Sequence, residues 1–135
     1  MSDAGRPRAL FVDDDPRVLS AIVRSLRREP FQVETAADAR KALARLEEQT
    51  FALVVSDHRM PGLTGIEFLR RVRERWPLTR RILLSGWSSE IPRSDLEAAN
   101  LFRLLAKPWD DAEFRSVVRE AVEASGAAAT DLRTP

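Results

Sequence analysis

One stretch, Phe51-Ala52-Leu53-Val54-Val55-Ser56-Asp57-His58-Arg59-Met60-Pro61-Gly62, sets five apolar residues ahead of a carboxylate and a Pro-Gly turn. An apolar run this short reads as a strand buried on both faces, as in a parallel sheet. Asp57 then stands where a buried strand leaves the core, and open α/β sheets bind ligands outside the carboxyl ends of their strands. Asp57 is therefore a candidate for chemistry. On this stretch alone it could equally be a turn cap, a role Asp commonly takes. Other apolar runs end in comparable residues. Asp13-Asp14-Asp15 follows Ala9-Leu10-Phe11-Val12, Ser85 follows Ile82-Leu83-Leu84, and Lys107 follows Leu104-Leu105-Ala106. The chain has twenty arginines and only two lysines, at 41 and 107. A lysine kept against that bias points to a use for a compact ammonium on a flexible stem.

The intervening elements must bring these residues together. Pro16 suits a first helical position with Asp15 as N-cap. Apolar residues at 18, 19, 22, 23 and 26 then give helix one its core-facing stripe. Residues 31–35 alternate apolar and polar, as a half-exposed strand does. Helix two is expected over 38–49, with 39, 42, 43 and 46 inward, and strand three over 51–55. Thr64 and Glu67 form a capping box for helix three, whose stripe is 66, 69, 72 and 76 and which Pro77 stops. Strand four is 81–85. Residues 88–99 read as a weak helix, broken near its start by Pro92 and poor in periodicity. Strand five, 101–105, is interrupted by Arg103. Asp110 with Glu113 resembles a second capping box, opening helix five with 114, 117, 118, 121 and 122 inward. The expected division is a disordered arm at 1–8, one domain at 9–124, and a flexible tail or linker start at 125–135.

Strict alternation of strand and helix argues for a parallel sheet with helices on both faces, and right-handed crossovers leave few topologies. Polar residues interrupt strands two and five, which places them at the edges. The result is a flavodoxin-like (βα)5 doubly wound parallel sheet of strand order 2-1-3-4-5. In that order the four strands ending in Asp13-Asp14, Asp57, Ser85 and Lys107 are neighbours. Three carboxylates, a hydroxyl and a lysine thus meet at one sheet edge. Clustered carboxylates repel each other and need compensation. A divalent cation and the Lys107 ammonium supply it. The ligands are hard oxygens and His58 is the one histidine, so the cation is Mg²⁺, with Mn²⁺ as a substitute, rather than zinc. A carboxylate beside a metal and a lysine can attack a phosphoryl group and form an aspartyl-phosphate.

Bulk properties agree with a single soluble domain. The chain has 135 residues, is 44% apolar and 32% charged, and carries a net charge of +1. Nothing in that charge favours direct nucleic-acid contact or an anionic membrane. No apolar run approaches the ~20 residues of a membrane span, and residues 1–8 lack a signal-peptide core. With no cysteine there is no disulfide framework. Cytoplasmic localisation is the expectation. The arginines at 70, 71, 73 and 75 read as a solvated helix face, His58 as a surface loop residue, and Trp76 and Trp109 as packing at helix ends.

The chain resembles the receiver domain of two-component response regulators, over about residues 8 to 124. The resemblance lies in Phe11-Val12-Asp13-Asp14-Asp15, Ser56-Asp57-His58-Arg59-Met60-Pro61-Gly62-Leu63-Thr64-Gly65, Leu83-Leu84-Ser85-Gly86 and Lys107-Pro108-Trp109. It implies that Asp57 accepts phosphate from a sensor histidine kinase or phosphotransfer protein. Asp13 and Asp14 would hold Mg²⁺ with Asp57 and the backbone carbonyl of Arg59. Ser85 would be the switch hydroxyl, Lys107 the site lysine, and Lys107-Pro108 a cis peptide. The chain would catalyse only its own phosphorylation and dephosphorylation and would pass the change to a downstream output domain or effector. Arg59 and Trp87 would flank the phosphoryl group and slow its hydrolysis. The family often has an aromatic residue three positions before the lysine, where this chain has Leu104, so 88–99 and strand five are the expected carriers of the signal. A homodimer through helix four, strand five and helix five is compatible with the fold, with no residue arguing for it. Two other readings compete. One is an aspartate-nucleophile phosphatase of haloacid-dehalogenase type, with Asp13 attacking, which would leave Asp57 without a task. The other is a receiver-shaped binding module that is never phosphorylated.

Overall fold

The computed structural model describes residues 5–86 and 91–125. Ten elements alternate strictly: β1 (Arg8–Val12), α1 (Pro16–Ser25), β2 (Gln32–Ala36), α2 (Ala39–Glu48), β3 (Leu53–Asp57), α3 (Gly65–Arg75), β4 (Arg80–Ser85), α4 (Arg93–Ala99), β5 (Arg103–Ala106) and α5 (Asp111–Ala124). The strands form one parallel sheet of order β2-β1-β3-β4-β5, as expected from the sequence. The central strand β3 is buried throughout, whereas β2 and β5 expose residues along their length. Glu34 on β2 is held by Arg8 and Arg45.

Side chains alternate across each strand, so the sheet divides the core in two. Phe11, Val55, Ile82 and Leu84 pack with α1 and α5 through Ile22, Phe114 and Val118. Leu10, Val12, Val54 and Leu83 pack with α2, α3 and α4 through Leu46, Phe68, Leu69 and Ala99. The helix starts follow their caps. Asp15 and Asp38 accept backbone N–H bonds from Arg17 and Lys41. Thr64 and Glu67 complete the capping box of α3. Asp110 accepts from the Glu113 N–H, one arm of the second box. Among the described residues no helix is long and apolar enough to cross a membrane.

Several boundaries differ from expectation. β3 begins at Leu53, not Phe51, and continues through Ser56 and Asp57. Its span is set by pairing with β1 and β4. Phe51 is buried just ahead of it, where its carbonyl accepts from the Thr79 hydroxyl at 2.7 Å. α4 is a seven-residue helix that starts only after Pro92, which has no N–H to offer inside a helix; residues 88–90 of the expected helix lie outside the described residues. β5 starts at Arg103, so Leu101 and Phe102 precede it. Val23, expected inward, is 43% exposed. The α1 stripe is narrower than its apolar residues suggest, with Ile22 and Leu26 fully buried. β1 takes in Arg8, and the expected tail from 126 onward lies outside the described residues.

Candidate phosphorylation site

β1, β3, β4 and β5 end side by side, and their termini form the site. Asp57 is the last residue of β3 and only 7% exposed. Lys107, just past β5, donates from Nζ to Asp57 Oδ1 at 2.5 Å. The same Nζ lies 3.8 Å from Asp13 Oδ2. Asp13 continues the pairing of β1 with β2 through its N–H to the Ala36 carbonyl and is 3% exposed. Its Oδ1 accepts the Asp15 N–H at 2.8 Å. Its Oδ2 is buried with no hydrogen-bond partner among the described residues. Asp14, next along, is exposed. Asp13, Asp14 and Asp57 each offer a carboxylate oxygen, and these oxygens lie within 4.8 Å of one another. Ser85 closes β4, buried, and its carbonyl accepts the Lys107 N–H at 3.1 Å. The Lys107-Pro108 peptide is cis, as the resemblance implied.

The loop after Asp57 is folded back on it. His58 donates its N–H to the Leu84 carbonyl and accepts from the Gly65 N–H at 2.8 Å. Gly62 turns the chain with φ near 80°, a conformation that suits glycine. A Cβ on Gly65 would stand 2.1 Å from the Asp57 carbonyl oxygen and 2.7 Å from the His58 Cα. Only glycine lets α3 start there. Arg59 is exposed on this loop and lines a shallow pocket with Asp14, His58 and Met60. His58 is half-buried rather than a free surface residue, with its Nδ1 enclosed. Trp76 and Trp109 pack at helix ends as expected, Trp109 stacking on Phe114 at 5.0 Å. Trp87 lies outside the described residues.

The electrostatics fit a small hard cation. Burial pushes the Asp13 carboxyl above its ordinary range, and the charge of Asp57 adds to the push; the Asp15 N–H and Lys107 oppose it. One ammonium among three carboxylates leaves negative charge uncompensated. Asp13 Oδ2, buried and accepting no hydrogen bond among the described residues, is an oxygen of the kind Mg²⁺ takes. Of the residues expected from the sequence, the structure brings Asp13, Asp14, Asp57 and Lys107 together, with Ser85 ending the neighbouring strand and joined to Lys107 through its backbone carbonyl. Nothing in the sequence signals the close approach at Gly65, since a glycine after a capping Thr looks only like a weak helix former.

A family model described as the response regulator receiver domain matches residues 9–119. The chain is 42% identical over 127 residues to the hydrogenase transcriptional regulatory protein HoxA of Cupriavidus necator, covering 93% of this chain and 26% of that protein. It thus spans about a quarter of that relative's length. The signal receiver domain of an HD domain-containing protein from Pseudomonas fluorescens superposes with a TM-score of 0.85 at 30% identity, covering 98% of this chain and 97% of that one. The response regulator TrrA of Thermotoga maritima, solved in complex with Mg²⁺-BeF, superposes with a TM-score of 0.75 at 28% identity, covering 85% and 98%. The strand order, the acidic cluster and these matches agree, and the chain belongs to the response regulator receiver domain family.

Proposed function

We propose that the chain is a phosphorylation-dependent switch in which Asp57 takes a phosphoryl group from a sensor histidine kinase or phosphotransfer protein. The observation that carries this is the Lys107–Asp57 contact beside three mutually close carboxylates at one sheet edge. Asp13, Asp14, Asp57 and the Arg59 carbonyl would hold Mg²⁺. When bound, that ion supplies positive charge to oxygens of the transferring phosphoryl group. A carboxylate oxygen of Asp57 attacks phosphorus in line; the bond from phosphorus to the donor's imidazole nitrogen breaks, and its electron pair leaves with the donor. Lys107 and the Ser85 hydroxyl would donate to phosphoryl oxygens, a role supported by the Lys107 contact with Asp57 and by the position of Ser85 at the end of the neighbouring strand. Asp13 and Asp57, on adjacent strands, hold their carboxylates in a fixed relation, so little reorganisation accompanies transfer.

The chain acts on itself and works as a signalling element rather than a metabolic enzyme. Its output is a separate domain or effector. HoxA is named a transcriptional regulator and the Pseudomonas neighbour belongs to an HD domain-containing protein, so outputs differ among similar receivers. We assign this receiver no nucleic-acid contact of its own, no membrane role and a cytoplasmic setting.

The test is incubation with Mg²⁺ and a small phosphodonor, read by intact mass and peptide mapping. One phosphoryl group on Asp57, absent in Asp57→Asn, is the expected result. Phosphate trapped on Asp13 would instead indicate the phosphatase chemistry. Failure to take up phosphate, Mg²⁺ or beryllofluoride would leave a binding module.

A further inference from the structure

In a parallel β-α-β unit the helix runs back against its strands, so the amino end of α4 lies toward the end of β4 and its carboxyl end toward the start. Arg81, Leu83 and Ser85 alternate onto one face of β4. That face is the one α4 covers, because Leu83 shares its core with Ile91, Leu96 and Ala99, while Ile82 and Leu84 belong to the opposite core. Ser85 and Arg81 are therefore two ends of one row, about 13 Å apart at ~3.3 Å per residue.

The two ends of α4 are held very differently. Arg81 is 5% exposed. Its Nε donates to the Ala99 carbonyl at 2.8 Å and its Nη2 to the Asn100 carbonyl at 3.1 Å. Its Nη1 donates to the Thr79 carbonyl at 2.6 Å, which anchors the guanidinium to the turn before β4. From α3, Arg73 Nη1 donates to the Glu97 and Ala98 carbonyls at 3.3 and 2.9 Å. Four successive carbonyls at the carboxyl end thus receive side-chain donors, Glu97 in addition to the Asn100 N–H it accepts from the chain itself, and the donors are cations that suit that end of the helix dipole. At the amino end Pro92 provides no side-chain cap and Ile91 is held by apolar packing, and among the described residues the polar side-chain tie is one exposed pair, Arg70 to Asp95 at 3.3 Å.

Among the described residues Arg81 forms no ion pair with a carboxylate, and burial pushes its guanidinium down to about 10. A buried, unpaired cation is a costly way to achieve stability that an apolar side chain of similar size provides as well. Its return is fixed geometry, from a planar fork with several directed donors.

We propose that Arg81 and Arg73 make the carboxyl end of α4 a fixed pivot, so that the helix answers a change at Asp57 and Ser85 by moving at its amino end. This rests on the reading of Asp57 as the phosphoryl acceptor and adds how the signal leaves it.

The experiment compares amide hydrogen exchange of the full chain with Mg²⁺, with and without beryllofluoride. In wild type the analogue should change exchange at residues 93–96 and leave 98–100 unaltered. In Arg81→Met the change should spread to 98–100, with exchange there about tenfold faster or more, as expected for losing bonds to a charged donor. Arg73→Gln, at an exposed position, should give the same spread in smaller measure and serves if Arg81→Met does not fold. Equal changes at both ends in wild type, or an unspread pattern in both variants, would overturn the pivot. A chain that is phosphorylated on Asp57 but shows no change in α4 also overturns it and leaves the receiver reading standing. A chain that takes no phosphoryl group at all overturns both.

Discussion

Gly65 and Arg59 show how single residues set the behaviour of Asp57. The atoms that a Cβ at 65 would meet are backbone, the Asp57 carbonyl oxygen and the His58 Cα, and these cannot swing aside as a side chain can. Gly65→Ala should cost about 1–3 kcal/mol, the usual range for overpacking a tight site. Because the displaced atoms belong to Asp57 itself, it should also slow phosphorylation and weaken Mg²⁺ binding. Urea midpoints and phosphorylation rates measured together check this; a stability loss with an unchanged rate would show that the approach is only structural. Arg59 is exposed and two residues beyond Asp57, on the loop that lines the pocket beside it. Its bulk is expected to limit the approach of water to the phosphoryl group. Arg59→Ala should therefore shorten the lifetime of phosphorylated Asp57, followed by loss of the phosphoryl mass; an equal or longer lifetime would argue against shielding. Residue types carried the site clearly, since carboxylates, hydroxyl and lysine each ended a strand. Gly65 and Arg81 were illegible for a common reason. Their roles come from contacts across the fold, and a strand-initial arginine reads like a solvated one.

The elements are tied by ion pairs that a helical pattern does not reveal. Arg119 on α5 donates to both Glu29 oxygens at 2.8 and 2.9 Å, joining α5 to the segment after α1. This guanidinium holds the Glu29 carboxyl below its ordinary value of 4.5. A carboxyl depressed in the folded state contributes stability above its unfolded pKa and loses it as pH falls through the folded value. Arg119→Ala should lower stability slightly near neutrality, since solvent screens an exposed pair. Denaturant melts should show wild type and variant converging once the pH is well below the ordinary carboxylate range. The arginines of α3 follow the same theme. They are exposed, as their spacing suggests, yet Arg70 and Arg73 reach α4 and Arg75 reaches Glu47 on α2. Strand order was legible from polar interruptions in the edge strands. Strand and helix ends were less so, because pairing register fixed β3 and Pro92 fixed α4, neither of which an apolar run encodes.

For the whole molecule, the candidate cation site joins β1 to β3 and so links folding to binding. A ligand that binds only the folded chain stabilises it by mass action, about 2.7 kcal/mol at one hundred times its Kd. Mg²⁺ should raise the melting temperature accordingly, and the gain should shrink in Asp57→Asn; equal gains in both proteins would place the ion elsewhere. The sheet's borders have a separate consequence. An unpaired strand edge is a template on which a second chain can add itself, and long flat apolar borders lead to fibres. Here one border carries Glu34 clasped between Arg8 and Arg45. The other is a four-residue strand opened by Arg103, which pairs with Glu120. Stray strands therefore meet charge and an early stop at both margins, which lets the domain be made in quantity without templating its own aggregation.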